Sequence, residues 1–253
     1  MNVHPLFSAI PAKRPLVHCI SNIVSANDCA NLLLAVGASP IMAQAPEEMA
    51  EISPKANAVV LNTGTPSEEK FLACLNAGLA ANRAGIPVVL DPVGAGASQW
   101  RLAHIRRLLA KVNFSVIRLN RSEAAALLTG SQNECGVDAS LAADDADAAS
   151  LARALAAQLG TVVLLSGISD IITDGDTLLE LSGGSDRMKA VTGAGCMLSV
   201  LCGACLAVAE TPLKAAAAAS QSWKAAAEKA DIQSANRGMG SFHAALMDAV
   251  TQV

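Results

Sequence analysis

Two acidic residues stand where they could manage a metal-bound phosphate. Asp91 closes the apolar run 86–90 and is followed by Pro92-Val-Gly94-Ala-Gly96, while Glu123 opens a helix-length segment just after the next apolar run. Carboxylates at neighbouring strand ends can hold Mg²⁺ through oxygen and water, as nucleotide-dependent transfer requires. Taken singly, Asp91 serves equally well as a turn stabiliser and Glu123 as a first-turn helix residue. A second feature, Val191-Thr-Gly193-Ala-Gly195-Cys196, leads straight into an apolar helix. Glycine lets the backbone approach a ligand, and a helix start offers unpaired N–H groups and a positive dipole end, which together suit a transferring phosphoryl group. The same residues also suit tight packing alone. No Gly-Lys-Ser/Thr follows, so this is not a Walker loop, and Leu198 breaks the dinucleotide fingerprint.

Both features need a scaffold that brings them together. Short β-branched runs at residues 58–61, 86–90, 114–117 and 161–165 alternate with helix-length segments at 67–84, 100–112, 122–129 and 144–159. Strand, helix, strand at this spacing predicts parallel βαβ units with helices covering the sheet. Residues 16–20 read as an earlier strand and 25–36 as a helix with Gly37 at its C-cap. Residues 170–176 and 177–181 read as an antiparallel pair around an Asp-Gly turn, and three helices follow over 195–209, 212–230 and 241–250. Each central strand ends on a polar residue: Asn62, Asp91, Asn120 and Ser166. In a parallel sheet these all fall on the carboxyl edge, where open α/β sheets bind ligands. Any one of them serves equally well as a cap, and Asn120 with Glu123 spells a capping box. Their common edge favours a shared site.

The chain has 253 residues, suited to one α/β domain spanning 1–253, and its 18 basic and 22 acidic residues give a formal charge of -4. No basic patch offers a footprint for nucleic acid. Residues 190–209 are uncharged and long enough to span a bilayer, but they open with Thr-Gly-Ala-Gly and read better as a buried helix. The N-terminal residues lack signal-peptide character. Seven cysteines without framework spacing point to reduced thiols in a cytoplasm, with Cys202 and Cys205 as core residues. A composition 52% apolar suggests burial between subunits.

The sequence resembles the hydroxyethylthiazole kinase family along nearly its whole length. The resemblance is carried by Asn22-Ile-Val-Ser-Ala-Asn27-Asp28-Cys-Ala-Asn31, Gly37-Ala-Ser-Pro-Ile-Met42, Asn62-Thr-Gly64-Thr65, Leu90-Asp91-Pro-Val-Gly94-Ala-Gly, Asn120-Arg-Ser-Glu123 and Thr192-Gly193-Ala-Gly195-Cys196. It implies a ribokinase-like three-layer α/β/α sandwich with a mainly parallel sheet. It also implies transfer of the ATP γ-phosphate to the hydroxyl of 4-methyl-5-(2-hydroxyethyl)thiazole, and a homotrimer with sites at subunit boundaries. By position, Met42, Gly193, Asn22, Gly64 and Thr65 resemble thiazole-site residues. Arg118, Ser166, Asn120 and Gly195 resemble ATP contacts, and Asp91 and Glu123 the magnesium-side carboxylates. The chain carries Leu119 where the family often has Gly, and Ser166 where many members have Thr.

Wider ribokinase relatives have Asp at the position of Cys196. A thiol at a helix N-terminus can drop from about 8.5 to roughly 3.5–7.5, so a Cys196 thiolate is the expected weak base for the acceptor hydroxyl. The competing readings are a kinase of another small alcohol or pyrimidine, a non-catalytic thiazole- or nucleotide-binding protein, and a hydrolase with Cys196 as nucleophile. The last needs an oriented His, and none of the four His lies in such a motif.

Overall fold

In a computed structural model of the chain, the structure describes residues 5–129 and 145–253. The elements run α1 (Pro5–Lys13), β1 (Leu16–Ile20), α2 (Ala26–Ala35), β2 (Ser39–Ile41), α3 (Met49–Ile52), β3 (Ala58–Asn62), α4 (Glu68–Arg83), β4 (Val88–Asp91), α5 (Gln99–Leu109) and β5 (Val116–Asn120). They continue with α6 (Arg121–Thr129), α7 (Asp145–Leu159), β6 (Val162–Ser166), β7 (Asp170–Thr173), β8 (Leu178–Leu181), α8 (Ala194–Leu206), α9 (Pro212–Gln233) and α10 (Met239–Ala249). The strands form one sheet in the order β2-β1-β3-β4-β5-β6-β7-β8. Pairing is parallel from β2 through β6 and antiparallel for β7 and β8.

Helices cover both faces, because successive strand residues point to opposite sides. Val60, Val89, Val116 and Leu164 join a core with α2, α8, α9 and α10. Val59, Leu61, Leu90 and Leu119 join a second core with α4, α5, α6 and α7. This is the expected three-layer α/β/α sandwich, and strands apolar on both faces are what a covered parallel sheet demands. Each large side chain so buried contributes about 1.5–3 kcal/mol of transfer free energy.

Helix α8 begins at the glycine motif, with Gly193 as its N-cap. Every residue from Met197 to Leu206 is buried, and it packs on β1, β3, β4 and β5 as well as on α2 and α9. Its 13 residues span about 20 Å, too short for a bilayer core of roughly 30 Å. No helix among the described residues is long and apolar enough to cross a membrane.

Local sequence rules explain most boundaries. Ser67, Ser98 and Thr211 cap α4, α5 and α9, each accepting the N–H three residues on. Two bonds, Gly37 N–H to Leu34 O and Ala38 N–H to Leu33 O, close α2 at the expected Gly37. The Asp-Gly turn between β7 and β8 is present, with Asp174 Oδ1 accepting from Asp176 and Thr177 N–H.

Several expectations needed correction. Strand β4 begins at Val88 instead of residue 86, because Ile86 N–H is spent on Ala81 O, closing α4, and Pro87 has no N–H. Strand β5 starts at Val116, not 114. The central strands do end on their polar residues as expected, and this holds those residues in the sheet register. Helices α1 and α3 and the edge strand β2 were not anticipated, since each is too short to show a hydrophobic period. Residue 144, expected to start α7, lies outside the described residues.

Candidate active site

Parallel pairing sets Asn62 beside Asp91 and Asn120 beside Ser166 in register. The carboxyl edge of the sheet therefore presents the four polar residues together, as their common position predicted. Asp91 is fully buried. Its Oδ2 accepts from Asn62 Nδ2 at 2.7 Å, and its Oδ1, without a hydrogen-bond partner, lies 3.7 Å from Arg118 Nη1.

From Asp91 a continuous polar chain runs across the edge. Asn62 Oδ1 accepts from Gly64 N–H at 2.9 Å and from Asn22 Nδ2 at 3.1 Å. Asn22 Nδ2 also donates to Cys196 Sγ at 3.2 Å, while its Oδ1 accepts the N–H groups of Val24 and Ser25. Asn22 is thus fixed at both ends and ties the β1 and β3 loops to the start of α8. Asn62, one of the four strand-end residues grouped from sequence, is the hub. A polar side chain ending an otherwise apolar strand is the signal that placed it there, and its partners Gly64 and Asn22 are what the structure adds.

The start of α8 has the form that the glycine motif predicted. Gly193 is its N-cap at φ +79°, a conformation open to glycine, and a Cβ there would meet Ser25 Cβ at 2.6 Å. No side chain caps the first turn, which leaves its N–H groups for a ligand. At Gly195 a Cβ would overlap the Arg118 guanidinium, so this glycine is required for the arginine's close approach. Arg118 Nη2 donates to Ser166 Oγ at 2.5 Å, and Arg118 Nε, also buried, has no partner.

Glu123 is the second buried carboxylate. It completes the capping box: Asn120 Oδ1 accepts Glu123 N–H at 2.9 Å, and Glu123 Oε2 accepts Asn120 N–H at 2.8 Å. Its Oε1 accepts Gly94 N–H at 2.9 Å, which pins the glycine loop after β4. The capping reading is thus borne out, and the same side chain also lies at the sheet edge against the glycine loop.

Burial governs the protonation of the cluster. It pushes Glu123 up to about 7, with Arg118 opposing and Asp91 reinforcing. Asp91 is also raised by burial, against Arg118, Ser199 and Asn62, which favour its charged form. Burial works against the Arg118 charge, but Asp91 and Glu123 outweigh it and keep the guanidinium cationic. The expected depression of the Cys196 thiol is overturned: burial, followed by the Asp91 charge, raises it, although Ser25, Arg118 and Asn62 pull the other way. Cys196 therefore carries its proton at neutral pH, because desolvation of a thiolate outweighs the benefit of a helix N-terminus.

The other expected substrate residues lie at the same edge. Thr65 Oγ1 accepts from Ile23 N–H at 3.3 Å, joining the two loops that hold Asn22 and Gly64. Met42 follows the carboxyl end of β2, half-buried against the α8 side of the sheet. Buried His18 steadies its neighbour, donating from Nε2 to Ala43 O at 2.9 Å while Ser53 Oγ donates to Nδ1. Cys202 and Cys205 are fully buried core residues, as expected.

The model of the Hydroxyethylthiazole kinase family matches residues 7–253 of this chain. The chain belongs to the hydroxyethylthiazole kinase family. It is 44% identical to a hydroxyethylthiazole kinase of Listeria monocytogenes serotype 4a, over 94% of this chain and 88% of the relative. It is 43% identical to one of Methanosphaerula palustris, over 95% of this chain and 89% of the relative. The solved hydroxyethylthiazole kinase protein of Pyrococcus horikoshii OT3 superposes with a TM-score of 0.88 at 36% identity, covering 98% of this chain and 92% of that one. A ribokinase-like superfamily protein of Enterococcus faecalis V583, at 13% identity and a TM-score of 0.64, covers 96% of this chain and 88% of its own and shares the fold.

Proposed function

We propose that this chain is an ATP-dependent kinase that moves the γ-phosphate of ATP to the hydroxyl of 4-methyl-5-(2-hydroxyethyl)thiazole, in thiamine biosynthesis or salvage. The observation that carries the reading is the cluster in which Asp91, Asn62, Asn22 and Cys196 are linked across the sheet edge onto an uncapped helix start, with Arg118 alongside. The whole of residues 1–253 is read as one kinase domain, since a single sheet runs through it.

Arg118, held by Ser166, serves the ATP phosphates together with Gly195 and Asn120. Its partnerless Nε is a donor looking for an oxygen. Asn22, Gly64, Thr65, Met42 and Gly193 line the acceptor side and orient the thiazole alcohol. Mg²⁺ fits the carboxylates in one manner. Among the described residues no group of three His, Cys, Asp or Glu could cage it, so triphosphate oxygens and water would be most of its ligands, as that ion prefers. Asp91 Oδ1 is free to accept, and Glu123 oxygens keep a second lone pair beyond their backbone donors. Mg²⁺ supplies neutralisation of the charge on the transferred phosphoryl. The chain's own contribution is to orient both substrates and aim the α8 N–H groups at that phosphoryl. Phosphoryl transfer is loose, so proton removal near Cys196 adds little to the rate.

Homotrimer assembly with sites at subunit boundaries is part of this proposal. Ile23 and Val24, 81% and 60% exposed, directly follow Asn22, and apolar side chains left in water beside a site favour a neighbouring subunit. Light scattering near 77 kDa, three times 25.7 kDa, is expected, and 25.7 kDa at micromolar concentration would contradict it. A cytoplasmic location accords with the six described cysteines being free.

Purified chain, ATP and a panel of small alcohols, with and without Mg²⁺, test the reading. Hydroxyethylthiazole phosphate should be the product formed. Turnover undiminished in EDTA would remove the metal role, and a strong preference for another alcohol would hand the site to that kinase class.

A further inference from the structure

Lys70 stands in an unfavourable place for a lysine. It is the third residue of α4, where the helix dipole repels a cation, and its side chain is half-buried. Burial drags its pKa down from 10.5 to about 8. Nothing in the folding of α4 needs it there, since Ser67 already caps the helix through Lys70 N–H.

Its ammonium instead reaches out of the helix to two loops. Nζ donates to Ser21 O at 2.8 Å and to Gly64 O at 2.5 Å. Ser21 immediately precedes Asn22, and Gly64 immediately precedes Thr65. A second, independent feature marks the same spot. Thr65 adopts φ +43°, a region β-branched residues avoid, so surrounding contacts must hold it there. One such contact is the grip on the preceding carbonyl.

We propose that Lys70 is a positioning residue for the acceptor substrate: its ammonium clamps the loop after β1 to the loop after β3 and so fixes Asn22, Gly64 and Thr65 around the thiazole. The nucleotide side, held by Arg118, Ser166 and the Asn120–Glu123 box, makes no use of this clamp. The inference rests on the thiazole-kinase reading. Wild-type chain that does not phosphorylate the thiazole fails that reading, whereas wild-type turnover unaffected by Lys70 variants fails only this one.

Steady-state kinetics of Lys70→Met and Lys70→Arg test it. Loss of two charge-assisted hydrogen bonds in Lys70→Met should raise the thiazole KM about tenfold or more. The ATP KM should stay within about twofold, and Lys70→Arg, which keeps charge and donors, should recover most of the loss. An equal rise in both KM values, an unchanged thiazole KM, or an arginine variant no better than methionine would overturn the role. Should Lys70→Met fail to fold, Lys70→Arg and the wild-type pH profile decide. The groups facing Lys70 are Cys74 of its own helix, Cys196 of α8, Asp91 of β4 and Arg101 of α5. Burial raises both thiols, that of Cys74 to about 12. Between pH 7 and 9 the thiazole KM should therefore climb severalfold as Lys70 loses its proton, whereas the Glu123 step at about 7, on the nucleotide side, falls at the low end of that window. A flat thiazole KM over that range would refute the clamp.

Discussion

Replacing Gly195 by alanine sets two physical effects against each other. The residue lies in the first turn of α8, where alanine is the better helix former by up to about 1 kcal/mol. Yet the new methyl group would occupy the space of the Arg118 guanidinium, overlapping its carbon and both terminal nitrogens. The guanidinium must swing away, losing its 2.5 Å bond to Ser166 and its approach to Asp91. A charge-assisted hydrogen bond contributes about 1.5–3 kcal/mol, and Asp91 is left buried without its cation. The loss exceeds the helix gain, so Gly195→Ala should be less stable by about 1–2 kcal/mol, which for this size is a Tm lower by about 3–6 °C. Because Arg118 is assigned to ATP, the ATP KM should rise about tenfold while the thiazole KM moves little. Gly203→Ala is the control on the same helix: its Cβ would stand 2.6 Å from Val60 Cγ2, which costs about 1–3 kcal/mol by overpacking. That variant should melt earlier without any change in ATP KM. A Gly195→Ala protein more stable than wild type, with an unaltered ATP KM, would refute both the Arg118 placement and its role.

Three further outcomes follow from the protonation of the cluster. Cys196→Ala should lower kcat only modestly, because the backbone N–H groups of α8 remain, and Cys196→Asp should keep activity; a covalent adduct on Cys196 by mass spectrometry, or total loss in both variants, would point to a nucleophile instead. Glu123 is raised from 4.5 to about 7, so the folded chain holds an extra proton between those values and ionising it costs stability as pH rises through that window. In metal-free buffer, wild type should therefore lose up to about 3 kcal/mol relative to Glu123→Gln between pH 4.5 and 7, and a stability difference that is flat or reversed by denaturant titration would contradict the burial argument. The double variant Asp91→Asn, Glu123→Gln should lose Mg²⁺-dependent turnover, and near-wild-type rates would remove the carboxylates from the metal side.

The sequence alone determined the layered architecture and the edge at which the site lies. Strand runs such as 58–61 and 161–165 are apolar on both faces, a local pattern that only a sheet covered on both sides satisfies. The polar residues ending them must share one edge once the strands are parallel, so Asn62, Asp91, Asn120 and Ser166 were legible as a group. The capping box of Asn120 and Glu123 was legible for the same reason, since its partners are three residues apart. Only the tertiary structure decided what these residues touch. Asn22 meets Cys196 across 174 positions, and the Arg118 guanidinium fits against Gly195 only because α8 packs on β5. Lys70 looks from sequence like an ordinary surface residue near a helix start, and its grip on Ser21 and Gly64 depends on how α4 sits against the β1 and β3 loops. The thiol of Cys196 shows the same division most sharply. Its place at a helix N-terminus, read from the sequence, favours a thiolate, but desolvation and the Asp91 charge depend on what packs around it, and these raise it instead.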